Sequence, residues 1–229
     1  MRSQRQPSLG QASFQDLLNN PPLAHESDGA FTGRDWKTIK LSEIIDPGLV
    51  RWAEFSTSVE DATHLLIDAG SPNAVLIRRD PSSRVALSTF DYGDLNAYLL
   101  FNIGVARSGD GIPSDLIQKA KDGKTITIGD IQGLGQKEEL VTLPETANLT
   151  EAVVVLGSGI HRIIVQKEGS EDVVGVLTQV RLVKFFWEQG RHFQAVHDLF
   201  QKSLRDLGVG PRVVLSVKYG ITRKIDNKH

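Results

Sequence analysis

The stretch SGIHRIIVQKEGSEDVVGVLTQVRLVKFFWEQG, residues 158 to 190, decides how the chain is read. HRIIVQ and VVGVLTQ are short runs rich in β-branched residues, separated by a polar turn containing Gly169 and Ser170, and they predict a pair of strands. VRLVKFFWEQG carries apolar residues at helical spacing and has Gly190 as a stop signal, which predicts a helix. His161 and Arg162 stand at the mouth of the first strand. A catalytic pair would need a nucleophile or a metal nearby. A phosphate-binding pair would need only a cleft and a second copy of the same unit facing it.

Working outward, EELVTLP predicts a strand and NLTEAVVVLGSG a helix ending at glycines, so the second half reads βαββα. The first half has the same order. LVRWAEF alternates as a strand, and STSVEDATHLLIDAG is a helix with Ser56, Thr57 and Ser58 as cap candidates and Gly70 as its stop. NAVLIRRD and RVALSTF are strands joined by PSS, and DYGDLNAYLLFNIG is a helix that Asp91 or Asp94 can cap. Two units of about sixty residues are too long and too few for a solenoid. The expectation is an α+β fold of tandem repeats related by a pseudo-two-fold axis, with a cleft between them. DWKTIKLSEII, apolar at 36, 39, 41, 44 and 45, predicts a short amphipathic helix or helical linker, and PSDLIQKAK a short helix within a polar, glycine-rich connector. The expected boundaries are a disordered tail over 1–33, a first repeat over 36–106, a connector over 107–137, a second repeat over 138–190, and a C-terminal helix and tail over 191–229.

Composition narrows the function classes. The 229 residues are 40% hydrophobic, normal for a chain with a buried core, and no apolar run approaches the roughly 20 residues that span a bilayer. The absence of cysteine excludes thiolate catalysis and cysteine-ligated zinc. A net charge of −2 argues against a general attraction to nucleic acid or acidic lipid, so anion binding must come from local sites. The first thirty or so residues are rich in Ser, Gln, Asn and Pro without apolar periodicity, and Arg5 precedes Ser8 at a spacing that basophilic kinases accept. The expected location is the cytoplasm or the nucleus.

The two units, above all GIHRIIVQ followed by GVLTQVRLVKFF, resemble paired CBS repeats, the Bateman module, and are similar to AMP-activated protein kinase γ subunits and fungal Sds/Moc-type proteins. FDYGDLNAYLL resembles the fungal branch more than the kinase subunit. Both branches usually carry four repeats, so this sequence is either half of that architecture or a truncated gene model. The resemblance implies a non-catalytic regulatory protein that binds AMP, ADP or ATP, with no metal, and acts on protein kinase or phosphatase subunits, with homodimerisation common among paired repeats. For the fungal branch it implies inhibition of type 2A-like phosphatases through protein contacts.

The resemblance also implies site residues. His161 and Arg162 match the pair that faces phosphates in the family, and a guanidinium suits that task through two parallel charge-assisted bonds. The alternative is that Arg162 pairs with a neighbouring carboxylate. The family holds ribose with a carboxylate three residues after a Ser or Thr, an acceptor for two hydroxyl donors. In the first repeat two frames fit, Ser88 with Asp91 and Asp91 with Asp94, and either aspartate can instead be a plain helix cap. In the second repeat Thr178 is present, but Arg181 stands at the carboxylate position and Val180 where the kinase subunit has lysine. A cation cannot accept a hydroxyl proton, which implies that this second ribose pocket is empty. Other patterns carry less. GSGIHR lacks the third glycine of a dinucleotide fingerprint, and His192 and His197 are off metal-ligand spacing and read as surface residues. His64 reads as a partly buried packing residue, and Phe185, Phe186 and Trp187 as core or partner packing. Nothing resembles a phosphate-activating loop.

Overall fold

The computed structural model describes residues 30–70, 72–104, 112–134, 137 and 139–210. The expected tail over 1–33 and the chain end after 210 therefore fall wholly or largely outside the described residues, as do Arg5 and Ser8.

Both repeats form the expected order. In the first, β1 (Trp52–Glu54) is followed by α1 (Val59–Ala69), β2 (Ala74–Arg78), β3 (Ser88–Asp91) and α2 (Tyr92–Asn102). After α3 (Ser114–Lys121) and α4 (Ile128–Ile131), the second repeat runs β4 (Thr142–Pro144), α5 (Leu149–Gly157), β5 (Arg162–Gln166), β6 (Val173–Thr178) and α6 (Gln179–Gln189), and α7 (Gln194–Phe200) is the last helix among the described residues. Each repeat has a three-stranded sheet of the same topology, a parallel pair followed by an antiparallel pair. Side-chain caps start the main helices. Ser58 accepts from the Asp61 amide, Asp91 from those of Gly93 and Asp94, Asn148 from those of Thr150 and Glu151, and Thr178 from that of Arg181. Each such cap contributes about 1 kcal/mol by satisfying an otherwise orphaned donor.

Equivalent residues meet where the sheets face each other. Leu76 pairs with Trp52 in one sheet as Ile164 pairs with Thr142 in the other. Leu76, Ile164 and Val173 form one buried cluster, with Val50, Trp52, Leu140 and Val176 against it. A pseudo-two-fold relation follows from this pairing, because the same position on each middle strand supplies the contact.

The two cores are built crosswise. Ile39, Leu41 and Ile44 precede the first repeat in sequence but are buried with Leu149, Ile163 and Leu177 of the second. Leu116, Ile126, Ile128 and Ile131, from the stretch read as a connector, are buried with Val59, Val75 and Phe90 of the first. The swap is symmetric in detail. Lys40 bridges Asn148 at the cap of α5, and Thr127 bridges Ser58 at the cap of α1. In both linkers the carboxylate three residues on then accepts from the bridging residue's amide, Glu43 from Lys40 at 2.9 Å and Asp130 from Thr127 at 3.0 Å.

Several local readings change for identifiable reasons. The helix expected over DWKTIKLSEII is two separate 3-10 turns, Trp36–Thr38 and Leu41–Glu43, because Ile39 and Lys40 are extended to bond the second repeat. The strand expected over RVALSTF begins only at Ser88, since the chain before it leaves the first sheet and the Arg84 carbonyl accepts from the Val173 amide of β6 at 2.9 Å. Gly190 ends the helix as its C-cap, as expected, but with right-handed backbone. It continues into a 3-10 turn at φ −57°, and a Cβ there would lie 2.8 Å from the Phe200 ring and 2.9 Å from Val196. His64, expected to be partly buried, is exposed on α1. His192 is half-buried, with Thr32 Oγ1 3.4 Å from its Nδ1.

Candidate functional site

A cavity of about 720 Å³ opens where the end of β3 and the start of α2 in the first repeat face the start of β5 and of α6 in the second. Its wall includes Asn73, Asp91, Tyr92 and Gly93 on one side and Ile160, His161, Arg162, Thr178, Gln179 and Val180 on the other, with Lys137 of the connector between them. The sheet ladders explain why these residues converge. Asp91 pairs with Ala74 at the end of one antiparallel ladder, and Thr178 pairs with Arg162 at the same place in the other. Asp91 is therefore the counterpart of Thr178, and Asp94 that of Arg181.

This correspondence decides between the two frames of the first repeat. Asp91 with Asp94 is the frame that matches Thr178 and Arg181. Ser88 corresponds to Gly175 and points elsewhere, its hydroxyl donating to Gln132 Oε1 at 3.3 Å. It does not line the cavity.

Arg162 reaches across the cleft and forms an ion pair with Asp91, joining side chains that are 16% and 22% exposed. The other oxygen of Asp91, Oδ1, accepts from the amides of Gly93 at 2.8 Å and Asp94 at 3.3 Å. Burial opposes ionisation of Asp91, but the Arg162 guanidinium and the two amides outweigh it and hold the carboxyl below the usual carboxylate range. Asp91 is thus both a cap and a charge partner.

Asp94 is buried behind the cavity wall residue Lys137, accepting from Lys137 Nζ at 2.6 Å and from the Asp91 amide at 3.0 Å. Lys137 also donates to the Thr89 carbonyl at 2.8 Å, so it ties the connector to the first repeat. Arg181 performs the matching task in the second repeat, with Nε donating to the Ile44 carbonyl at 3.0 Å. Neither Asp94 nor Arg181 lines the cavity. In both repeats the position three after the cap anchors the crossed linker. Thr178 borders the cavity while its Oγ1 accepts from the Arg181 amide at 3.1 Å.

The structure therefore brings His161, Arg162, Asp91 and Thr178 together at one cavity and leaves Ser88 and Asp94 out of its wall. Asn73 and Lys137 were not singled out by sequence. Asn73 is the described non-glycine residue with positive φ, 57°, and PN after a helix stop is a turn signal that could have marked it. Lys137, among GLGQKEEL, had no local signal, because its partner lies 43 positions earlier at Asp94. Among the described residues no group of acidic, His or Cys side chains is arranged to hold a metal, and no helix is long and apolar enough to cross a membrane.

Comparison with known proteins fits this geometry. The family model for the CBS domain matches residues 128–188. The protein SDS23 of Phaeosphaeria nodorum is 48% identical over 220 residues, covering 94% of this chain and 41% of that protein. The sds23 protein of Aspergillus niger is 43% identical over 220 residues, covering 94% of this chain and 43% of its own length. The chain thus spans about two fifths of the length of these curated relatives. Among solved structures, protein MJ1225 of Methanocaldococcus jannaschii, described as an archaeal homolog of g-AMPK, superposes with a TM-score of 0.50 at 11% identity, covering 65% of this chain and 50% of that one. With two βαββα repeats facing each other across a cleft, this chain is a CBS-domain protein of the Bateman-module type, similar to the fungal Sds23 proteins.

Proposed function

We propose that this chain is a non-catalytic regulatory module that binds an adenine nucleotide in the cavity between its repeats and relays occupancy to a protein kinase or phosphatase partner. The observation that carries the reading is the meeting of Arg162 and His161 of the second repeat with Asp91 of the first across a cavity of about 720 Å³, within the size range of small-molecule sites. Arg162 supplies a planar donor fork for phosphate oxygens. Asp91 Oδ2 supplies an acceptor for a ribose hydroxyl, because a carboxylate oxygen already paired once keeps a second lone-pair direction. Ile160, Val180 and the Tyr92 ring offer apolar surface for a base.

A second reading is favoured by a separate observation. The cavity's Arg162 is paired with Asp91 and Lys137 with Asp94, so the fold satisfies these charges without a ligand. On that reading the chain acts through protein contacts as a regulator of type 2A-like phosphatases, as the resemblance to the fungal branch implies.

Thermal-shift and calorimetric titration of the chain with AMP, ADP and ATP separates the two. A ligand at a hundred times its dissociation constant stabilises the fold by about 2.7 kcal/mol. Arg162→Ala should weaken AMP binding by about 1.5 to 3 kcal/mol, the range for a hydrogen bond to a charged group. No shift with any nucleotide at millimolar concentration would give the lead to the phosphatase reading. Phosphate release from ATP that is abolished by one substitution in the cavity would overturn the non-catalytic assignment.

A further inference from the structure

We infer that Asp91 is a specificity-determining residue that sets the charge of ligand the cavity accepts, favouring a nucleoside or nucleoside monophosphate over a triphosphate. The inference rests on the nucleotide reading above and assigns the ligand class within it. Its basis is that the phosphate-suited cation already faces an internal anion. Arg162 is paired with Asp91 across the cleft, and Lys137, the lysine on the cavity wall, is paired with Asp94. Formal charge over these four groups cancels.

A nucleoside can donate its ribose hydroxyls to Asp91 while the pair stays intact, and a monophosphate can share the Arg162 fork, which has five N–H donors. Each further phosphate adds negative charge close to the Asp91 carboxylate. That repulsion is felt strongly where the groups are largely withdrawn from water, as these side chains are. The second repeat shows the contrast. Thr178 occupies the position equivalent to Asp91 and is neutral, so the charge is a feature of one half of the cavity and is not required by the cap itself. Asn and Ser cap helices about as well as Asp, which allows the charge to be removed while the cap is kept.

The test is isothermal titration of wild type, Asp91→Asn and Asp91→Ser with adenosine, AMP and ATP at fixed pH and low salt, without divalent cation. The expected result is that wild type binds ATP at least about tenfold more weakly than AMP, and that both variants shift the ratio of ATP to AMP affinity toward ATP by about tenfold, the factor of one modest charge interaction. Wild type that binds ATP as tightly as AMP, or variants that leave the ratio unchanged, overturns the inference while the nucleotide reading stands. If wild type binds none of the three but either variant binds AMP or ATP, the internal anion is a complete block. The role of Asp91 is then upheld, and the reading of the native chain as a nucleotide binder fails. Absence of binding in all three proteins overturns both. Circular dichroism melts of the variants verify that each is folded before titration.

Discussion

Arg162 opens β5 of the second repeat and Asp91 closes β3 of the first, 71 positions apart, and their side chains form an ion pair across the cleft between the two sheets. The pair joins the repeats at the mouth of the cavity, opposite in kind to the apolar contact of Leu76 and Ile164 that joins them within. Its removal should therefore be felt in stability as well as in binding. Arg162→Ala leaves the Asp91 carboxylate largely buried with only its amide donors, and the expected cost is about 1 to 3 kcal/mol in chemical denaturation. A double-mutant cycle with Asp91→Asn should return a favourable coupling energy. Zero coupling would show that the pair contributes nothing to holding the repeats together.

Acid should weaken the fold through the same carboxylate. Asp91 has a folded-state pKa below its ordinary value, so between the two values the unfolded chain binds more protons. The stability it contributes is complete above the ordinary value of about 3.9 and is lost as pH falls through the depressed one. Asp130, held low against burial by Lys119 and Thr127, and Glu43, held low chiefly by Arg34, act in the same direction. Melting temperature should be insensitive to these groups above about pH 5 and decline below pH 4. Asp91→Asn should flatten part of that decline, and an unchanged slope would remove Asp91 from the account.

The crossed linkers predict where damage appears. Leu41→Ala, at a fully buried site, should cost about 2 to 5 kcal/mol. Hydrogen exchange should rise first in α5, β5 and β6, although position 41 precedes the first repeat in sequence. Ile128→Ala should do the reverse and loosen α1 and β2. If each substitution instead loosens the repeat that follows it in the chain, the crosswise packing is wrong.

Gly175 tests the same packing at atomic scale. A Cβ on Gly175 would stand 2.8 Å from Ile45 Cδ1 and 3.1 Å from its Cβ, so the linker and β6 touch too closely for a side chain. Gly175→Ala should destabilise by about 1 to 3 kcal/mol through overpacking. Ile45→Ala in the same chain should recover part of the loss, measured by denaturant midpoint. No recovery would mean that the linker does not press on β6.

The repeat order, helix caps for the first repeat among Ser56, Thr57 and Ser58 and at Asp91 or Asp94, and the placement of His161 and Arg162 before a buried strand were legible in the sequence, whereas the caps Asn148 and Thr178 were not singled out. The legible features depend on local chemistry, with apolar period, cap residues and turn residues lying within a few positions of one another. The crossing of the linkers was not legible, because Leu41 and Ile128 are apolar residues that would fit either core, and only the extended bonding of Lys40 to Asn148 and of Thr127 to Ser58 assigns them. Nor could the sequence choose between phosphate contact and an ion pair for Arg162, or between ligand and cap for Asp91. A charge does not declare its partner across 71 positions of chain. The tertiary structure supplies Asp91 as the ion-pair partner of Arg162 by bringing the equivalent ends of two antiparallel ladders to one cavity.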